Sequence, residues 1–179
     1  KDMAELFDMK KAGAIAFGDY NKSLDNANLL KIALQYVQDF DGLVIAFAQD
    51  EKIKGNGVAN EGLASTRLGL KGIPTLAEEL HIARNLFLLE YTGGKLHIPT
   101  ISTQKSVALI KEAKAKGLQV SCSVSVHHLV LNEDKLDGFD CCWVCCILFS
   151  VDILFCEPLF SPSQSLSLLK SLESGASFF

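Results

Sequence analysis

The sequence predicts an α/β protein built on a parallel sheet, and three observations carry that prediction. Strand-like and helix-like segments alternate four times, with strands expected near residues 14, 42, 95 and 119. Residues 95–125 read strand, helix, strand, the pattern of a right-handed βαβ crossover. The run LVIAFA at Leu43–Ala48 is apolar throughout, as a strand covered on both faces should be. Four such strands suit half of an eight-stranded barrel or most of a small open sheet, and periodicity does not choose between them. No Gly-x-Gly-x-x-Gly follows a strand, so a dinucleotide-binding fold has no specific support.

Taken in order, Asp2–Lys11 reads as a short helix with Met3, Leu6 and Phe7 along one side. Ala14–Phe17 is a small strand, and Gly18–Lys22 a polar loop. Ser23 is placed to cap a helix whose Leu24, Ala27, Leu30, Leu34 and Val37 keep the spacing of a core-facing stripe. After Leu43–Ala48 comes a long connection, Gln49–Pro74, holding five glycines and no clear period. Thr75 and Glu78 then have the spacing of a capping box, and Leu76, Leu80, Ala83 and Phe87 are the expected buried face of the next helix. Gly93–Gly94 end it. Lys95–Ile101 is a strand, Ser102 or Thr103 an N-cap, and Val107, Ile110 and Ala113 a helical stripe. Gly117 takes the C-terminal turn and Gln119–Ser125 forms the last strand, directly followed by His127 and His128.

The 179 residues are enough for one domain with a core, at 49% hydrophobic and 21% charged with a net charge of −4. That balance and the lack of a basic cluster argue against nucleic-acid binding. The start, KDMAELF, has no apolar leader region and reads as a piece cut from something longer. Only Cys122 precedes residue 141, which suggests a reducing, cytoplasmic setting. Cys122 itself reads as a small core hydrophobe. His81 and His97 read as structural.

Parallel sheets place their chemistry at the carboxyl ends of the strands, so Thr100 and the His127–His128 pair are the positions of interest. Four stretches, AGAIAFGD (Ala12–Asp19), NEGLASTRLGLKGIP (Asn60–Pro74), ISTQKSVALIKEAKAKGL (Ile101–Leu118) and VHHLVLNEDKLDGFD (Val126–Asp140), resemble dihydroorotase, a cyclic amidohydrolase of pyrimidine biosynthesis. The resemblance covers nearly all of residues 1–140. It implies a partial (β/α)8 barrel of the TIM type, truncated here, with zinc at the carboxyl-end face. It implies a small-molecule substrate, carbamoyl-aspartate or dihydroorotate, and metal-hydroxide attack on the ring amide.

The family's ligand pattern is only partly present. There is no His-x-His, and Thr100 stands where the family has its strand-five histidine. A hydroxyl is a poor zinc ligand beside imidazole. Phe17-Gly18-Asp19-Tyr20-Asn21 keeps one acid of two, and Ala46-Phe47-Ala48-Gln49-Asp50 lacks the family's histidine. The candidate metal residues are therefore His127, His128 and Asp19, zinc binding by this chain is in doubt, and no catalytic residue is assigned. A non-catalytic homologue serving as partner of aspartate carbamoyltransferase is the alternative reading.

Past Asp140 the resemblance stops. Residues 141–179 contain five cysteines, eight serines and a single basic residue, Lys170. Cys-Cys-x-x-Cys-Cys lacks a second ligand group at helpful spacing. Asp152 and Glu157 interrupt the apolar run, so no membrane span is expected. A lost reading frame near codon 140 accounts for the abrupt change, leaving 1–140 as the barrel-like unit and 141–179 as a tail of separate origin.

Overall fold

A computed structural model describes residues 3–126 and 128, together with the backbone of Asp152–Phe155. Parallel strands β1 (Ala16–Ser23), β2 (Leu43–Phe47), β5 (Lys95–Ile98) and β6 (Val120–Ser125) lie side by side in that order. Leu43 pairs with Lys95 and Leu96 with Val120, so the register is continuous across the sheet. Three connections carry helices: α2 (Ala27–Tyr36), α5 (Leu76–Thr92) and α6 (Gln104–Ala115). The predicted α/β class with parallel strands is what forms, and it is the arrangement of part of a (β/α)8 barrel.

The strand alternation separates two environments. Val44, Ala46, Leu96, Ile98, Val120 and Cys122 point one way and pack with Leu30, Leu34, Ile82, Leu89, Ile110 and Ala113 of the helices. The intervening positions, Ile45, His97 and Ser121, sit opposite one another on the other face. Cys122 is buried within the apolar set, as expected. Gly18 is required by the close approach of β1 to β2: a Cβ there would lie 2.5 Å from the Ile45 carbonyl oxygen.

Helix α1 (Leu6–Lys11) starts later than the sequence pattern implies. Asn26, and not Ser23, caps α2, its side chain accepting from the Asn28 and Leu29 amides at 3.0 and 3.4 Å. The long connection is more structured than its missing period suggests. It holds α3 (Glu51–Lys54), β3 (Ala59–Asn60), α4 (Leu63–Arg67) and β4 (Gly72–Ile73), with β3 and β4 paired in parallel. These pieces are too short to display a period.

The largest correction concerns α5. Leu76, Leu80 and Phe87 are 49%, 51% and 73% exposed, while His81 and Asn85 are 3% and 0% exposed. The helix is apolar nearly all round, so spacing alone selects the wrong stripe; Ile82, Leu86 and Leu89 face the core instead. Val107 of α6 is likewise half exposed, whereas Ile110 and Ala113 are buried as expected. Beyond β6, the backbone of Asp152–Phe155 forms β7 and pairs antiparallel with β6. A barrel would place a parallel strand there.

Candidate functional site

The carboxyl ends of the strands are gathered by one helix. α5 reaches the connection after each of its three neighbours in the sheet, using a different group for each. Arg84 donates from Nη1 to the Asp25 carbonyl at 3.0 Å and from Nη2 to the Leu24 carbonyl at 2.6 Å, holding the segment after β1. The Ala77 carbonyl accepts from the Asp50 amide at 2.9 Å, holding the segment after β2. Glu78 takes the segment after β5: its carboxylate accepts from the Ser102 amide at 3.0 and 3.1 Å, the Thr103 amide at 3.3 Å and the Ser102 hydroxyl. The capping box expected from Thr75 and Glu78 is therefore not made. Thr75 provides no side-chain cap, and Glu78 is turned outward to the next βα loop.

Behind these contacts lies a buried polar network. Asn85 Oδ1 accepts from Arg84 Nε at 3.2 Å and Nη2 at 3.0 Å. Its amide nitrogen is thereby left to donate to His81 Nδ1 at 3.4 Å, which puts the proton of the neutral imidazole on Nε2. Burial, and then the neighbouring Arg84 guanidinium, push the His81 pKa down from 6.5 to about 4, against a partial pull upward from Asp25 and Asp50. Burial also lowers Arg84. Asp50 is held below its ordinary value, chiefly by the Ile53 amide, which donates to its Oδ1 at 3.0 Å. Asp50 thus caps α3, and sequence reading had missed both it and the Arg84–Asn85–His81 chain.

At the end of β5 the backbone is unusual. Thr100 has φ 51°, a left-handed conformation that a β-branched residue rarely adopts. Its hydroxyl is buried and has no hydrogen-bond partner among the described residues. Three residues back, His97 is buried with both ring nitrogens engaged: Nδ1 with Ser121 Oγ at 2.8 Å and Nε2 with Ser123 Oγ at 3.2 Å. It ties β5 to β6, in keeping with the structural role expected for it.

The three candidate metal residues fare differently. Asp19 is exposed on β1, where five steps along the strand, from Gly18 to Ser23, stand against only two on β2, from Ile45 to Phe47. His128 is half-buried just past the end of β6, and His127 lies outside the described residues. Among the described residues no three His, Cys, Asp or Glu side chains converge. With a threonine hydroxyl at the end of β5 and both His97 nitrogens taken by serines, the described donors do not fit a zinc centre. No described helix is long and apolar enough to cross a membrane. The cysteine pairs of the tail lie outside the described residues.

Residues 1–106 match the model of a protein family described as dihydro-orotase-like. Among curated proteins, the dihydroorotase of Pelotomaculum thermopropionicum is 45% identical over 140 residues, covering 78% of this chain and 33% of that protein. The dihydroorotase of Geotalea daltonii is 40% identical over the same length and shares. The chain thus spans about a third of the relatives it matches. Among solved structures, a D-hydantoinase superposes with a TM-score of 0.61 at 19% identity, covering 96% of this chain and 37% of that one. An L-hydantoinase (dihydropyrimidinase) from Arthrobacter aurescens gives 0.61 at 20% identity, with 96% and 38% covered. At that identity the two structures speak for the fold alone.

Proposed function

Since this chain belongs to the dihydroorotase-like family, we propose that it carries one wall of a cyclic amidohydrolase of the dihydroorotate–carbamoyl-aspartate type, and that by itself it does not turn over substrate. What supports the reading is the family match across residues 1–106, joined to a parallel sheet whose carboxyl-end connections are fixed in place by α5. In such an enzyme these connections would line the substrate cleft. His127, His128 and Asp19 would mark where the family's metal is held, although the described donors there do not make up a zinc centre. The protein would work on a small molecule in the cytoplasm.

Thr100 favours a second reading. A hydroxyl without a hydrogen-bond partner among the described residues, at the place where a ligand is wanted, suits a homologue that has given up catalysis and serves as a partner of aspartate carbamoyltransferase. The two readings part in one experiment. The purified chain is incubated with dihydroorotate and added zinc, and, separately, passed over immobilised aspartate carbamoyltransferase. No ring opening and no retention is the result expected of an isolated catalytic wall. Retention without ring opening would favour the scaffold, and zinc-dependent ring opening would overturn the proposed lack of turnover.

A further inference from the structure

We propose that Glu78 is a positioning residue: from the neighbouring helix, its carboxylate imposes the left-handed backbone at Thr100 and so sets what the end of β5 presents. The inference goes beyond the family reading, because it stands on the geometry of the connection whether or not any metal is ever bound.

Two anchors frame Thr100. Ile98 is paired with Cys122 of β6, and the Ile101 amide donates to the carbonyl of Ser123, the next residue along β6, at 3.0 Å. The Leu96 amide, opposite Val120, likewise donates to Gln119, one residue earlier, so Ile101 stands opposite Val124. Three steps on β5 thus match two on β6, and Pro99–Thr100 holds one residue more than the pairing needs. Pro99 cannot supply the reversal, since its ring fixes φ near −65°. The turn therefore falls on Thr100, with φ 51°. Proline followed by a positive-φ residue is the order of a type II turn, whose second central position calls for glycine or asparagine. Threonine is among the least suited residues there, and its hydroxyl is buried without a partner among the described residues.

An unfavourable backbone persists only where its surroundings over-determine it. The Ile101–Ser123 bond alone leaves the chain free to relax on the far side. Glu78 closes that freedom by taking the Ser102 amide with both carboxylate oxygens and the Thr103 amide with one. Charge-assisted bonds of this kind are about twice as strong as neutral ones. Thr103 is in turn fixed as the cap of α6, its Oγ1 accepting from the Ser106 amide at 3.1 Å. Strain at residue 100 and the clamp at residue 78 are thus two halves of one device, and they should be energetically coupled.

The test is a double-mutant cycle on the full chain, read by thermal unfolding. Thr100→Asn places a residue tolerant of positive φ, and should raise Tm by about 2–4 °C. Thr100→Gly should raise it less, because glycine also gains freedom in the unfolded chain. In a Glu78→Ala background, where the turn can open, the gain from Thr100→Asn should fall below about 1 °C. Should Glu78→Ala not fold, Glu78→Gln takes its place with the same two outcomes. An equal gain in both backgrounds would show that Glu78 does not impose the conformation. A lower Tm for Thr100→Asn and Thr100→Gly alike would show that residue 100 is not strained, and either result overturns the proposal.

Discussion

Helices α2 and α5 pack against each other and against the same sheet, yet they are built on opposite logics. α2 buries Leu30 and Leu34 on a single stripe and leaves its other side to solvent. α5 buries a histidine and an asparagine while two leucines, a phenylalanine and a tyrosine stand exposed. The difference shows how the carboxyl-end connections are held. α2 packs on the sheet through apolar side chains, whereas α5 spends part of its buried surface on a polar chain that ends on the connection after β1. Most buried polar groups are hydrogen-bonded, and Arg84 and Asn85 satisfy one another while fixing the β1 connection.

That contrast can be broken most sharply on the α2 side. Leu34→Ala should destabilise the fold by about 2–5 kcal/mol in chemical denaturation, since Leu34 is wholly buried and the cavity can collapse only in part. A loss below about 1 kcal/mol would mean that α2 is not the apolar support described.

The next effect belongs to His81 of α5. Its pKa lies near 4 in the fold against 6.5 ordinarily, so between these values the unfolded chain binds more protons than the folded one. Stability is full above about pH 6.5, falls as the pH drops toward about 4, and levels off below; the total loss is at most about 3 kcal/mol. Urea titrations across that range should show the slope in the native chain, and His81→Gln should flatten it. An unchanged slope in the variant would assign it to other groups.

Asn85→Leu sharpens the comparison from the opposite direction, by making α5 resemble α2. It removes the acceptor for two Arg84 bonds and the donor to His81, and should cost about 1–3 kcal/mol although it adds apolar surface. A gain in stability would show that the polar chain is dispensable. The smallest effect is expected on the exposed side: Phe87→Ser should change stability by no more than about 0.5 kcal/mol.

The sequence made α2, the strand order of the βαβ unit and the Thr103 cap legible because each rests on local chemistry: an unbroken stripe, a continuous apolar run, a hydroxyl before a helix. It misled at α5 because Leu76, Leu80, Ala83 and Phe87 keep helical spacing as well as Ile82, Leu86 and Leu89 do. Choosing between the two stripes needs the partners of His81 and Asn85, which are brought near only by folding. Glu78 misled for a related reason. At three residues past Thr75 it matches a local cap, but its partners are Ser102 and Thr103, twenty-four and twenty-five residues away. At the site, the carboxyl-end rule for parallel strands located Thr100 and the histidine pair as positions of interest; the left-handed turn at Thr100 had no sequence signal beyond the proline before it.

The claim on which the rest depends is that α5 holds the carboxyl-end connections through particular bonds, and amide hydrogen exchange reads those bonds directly. In the full chain the amides of Asp50, Ser102 and Thr103 should exchange much more slowly than open loop amides. Glu78→Ala should release Ser102 and Thr103 while leaving Asp50 protected. Fast exchange at all three amides in the unmodified chain, with the strands of the sheet still protected, would contradict the account.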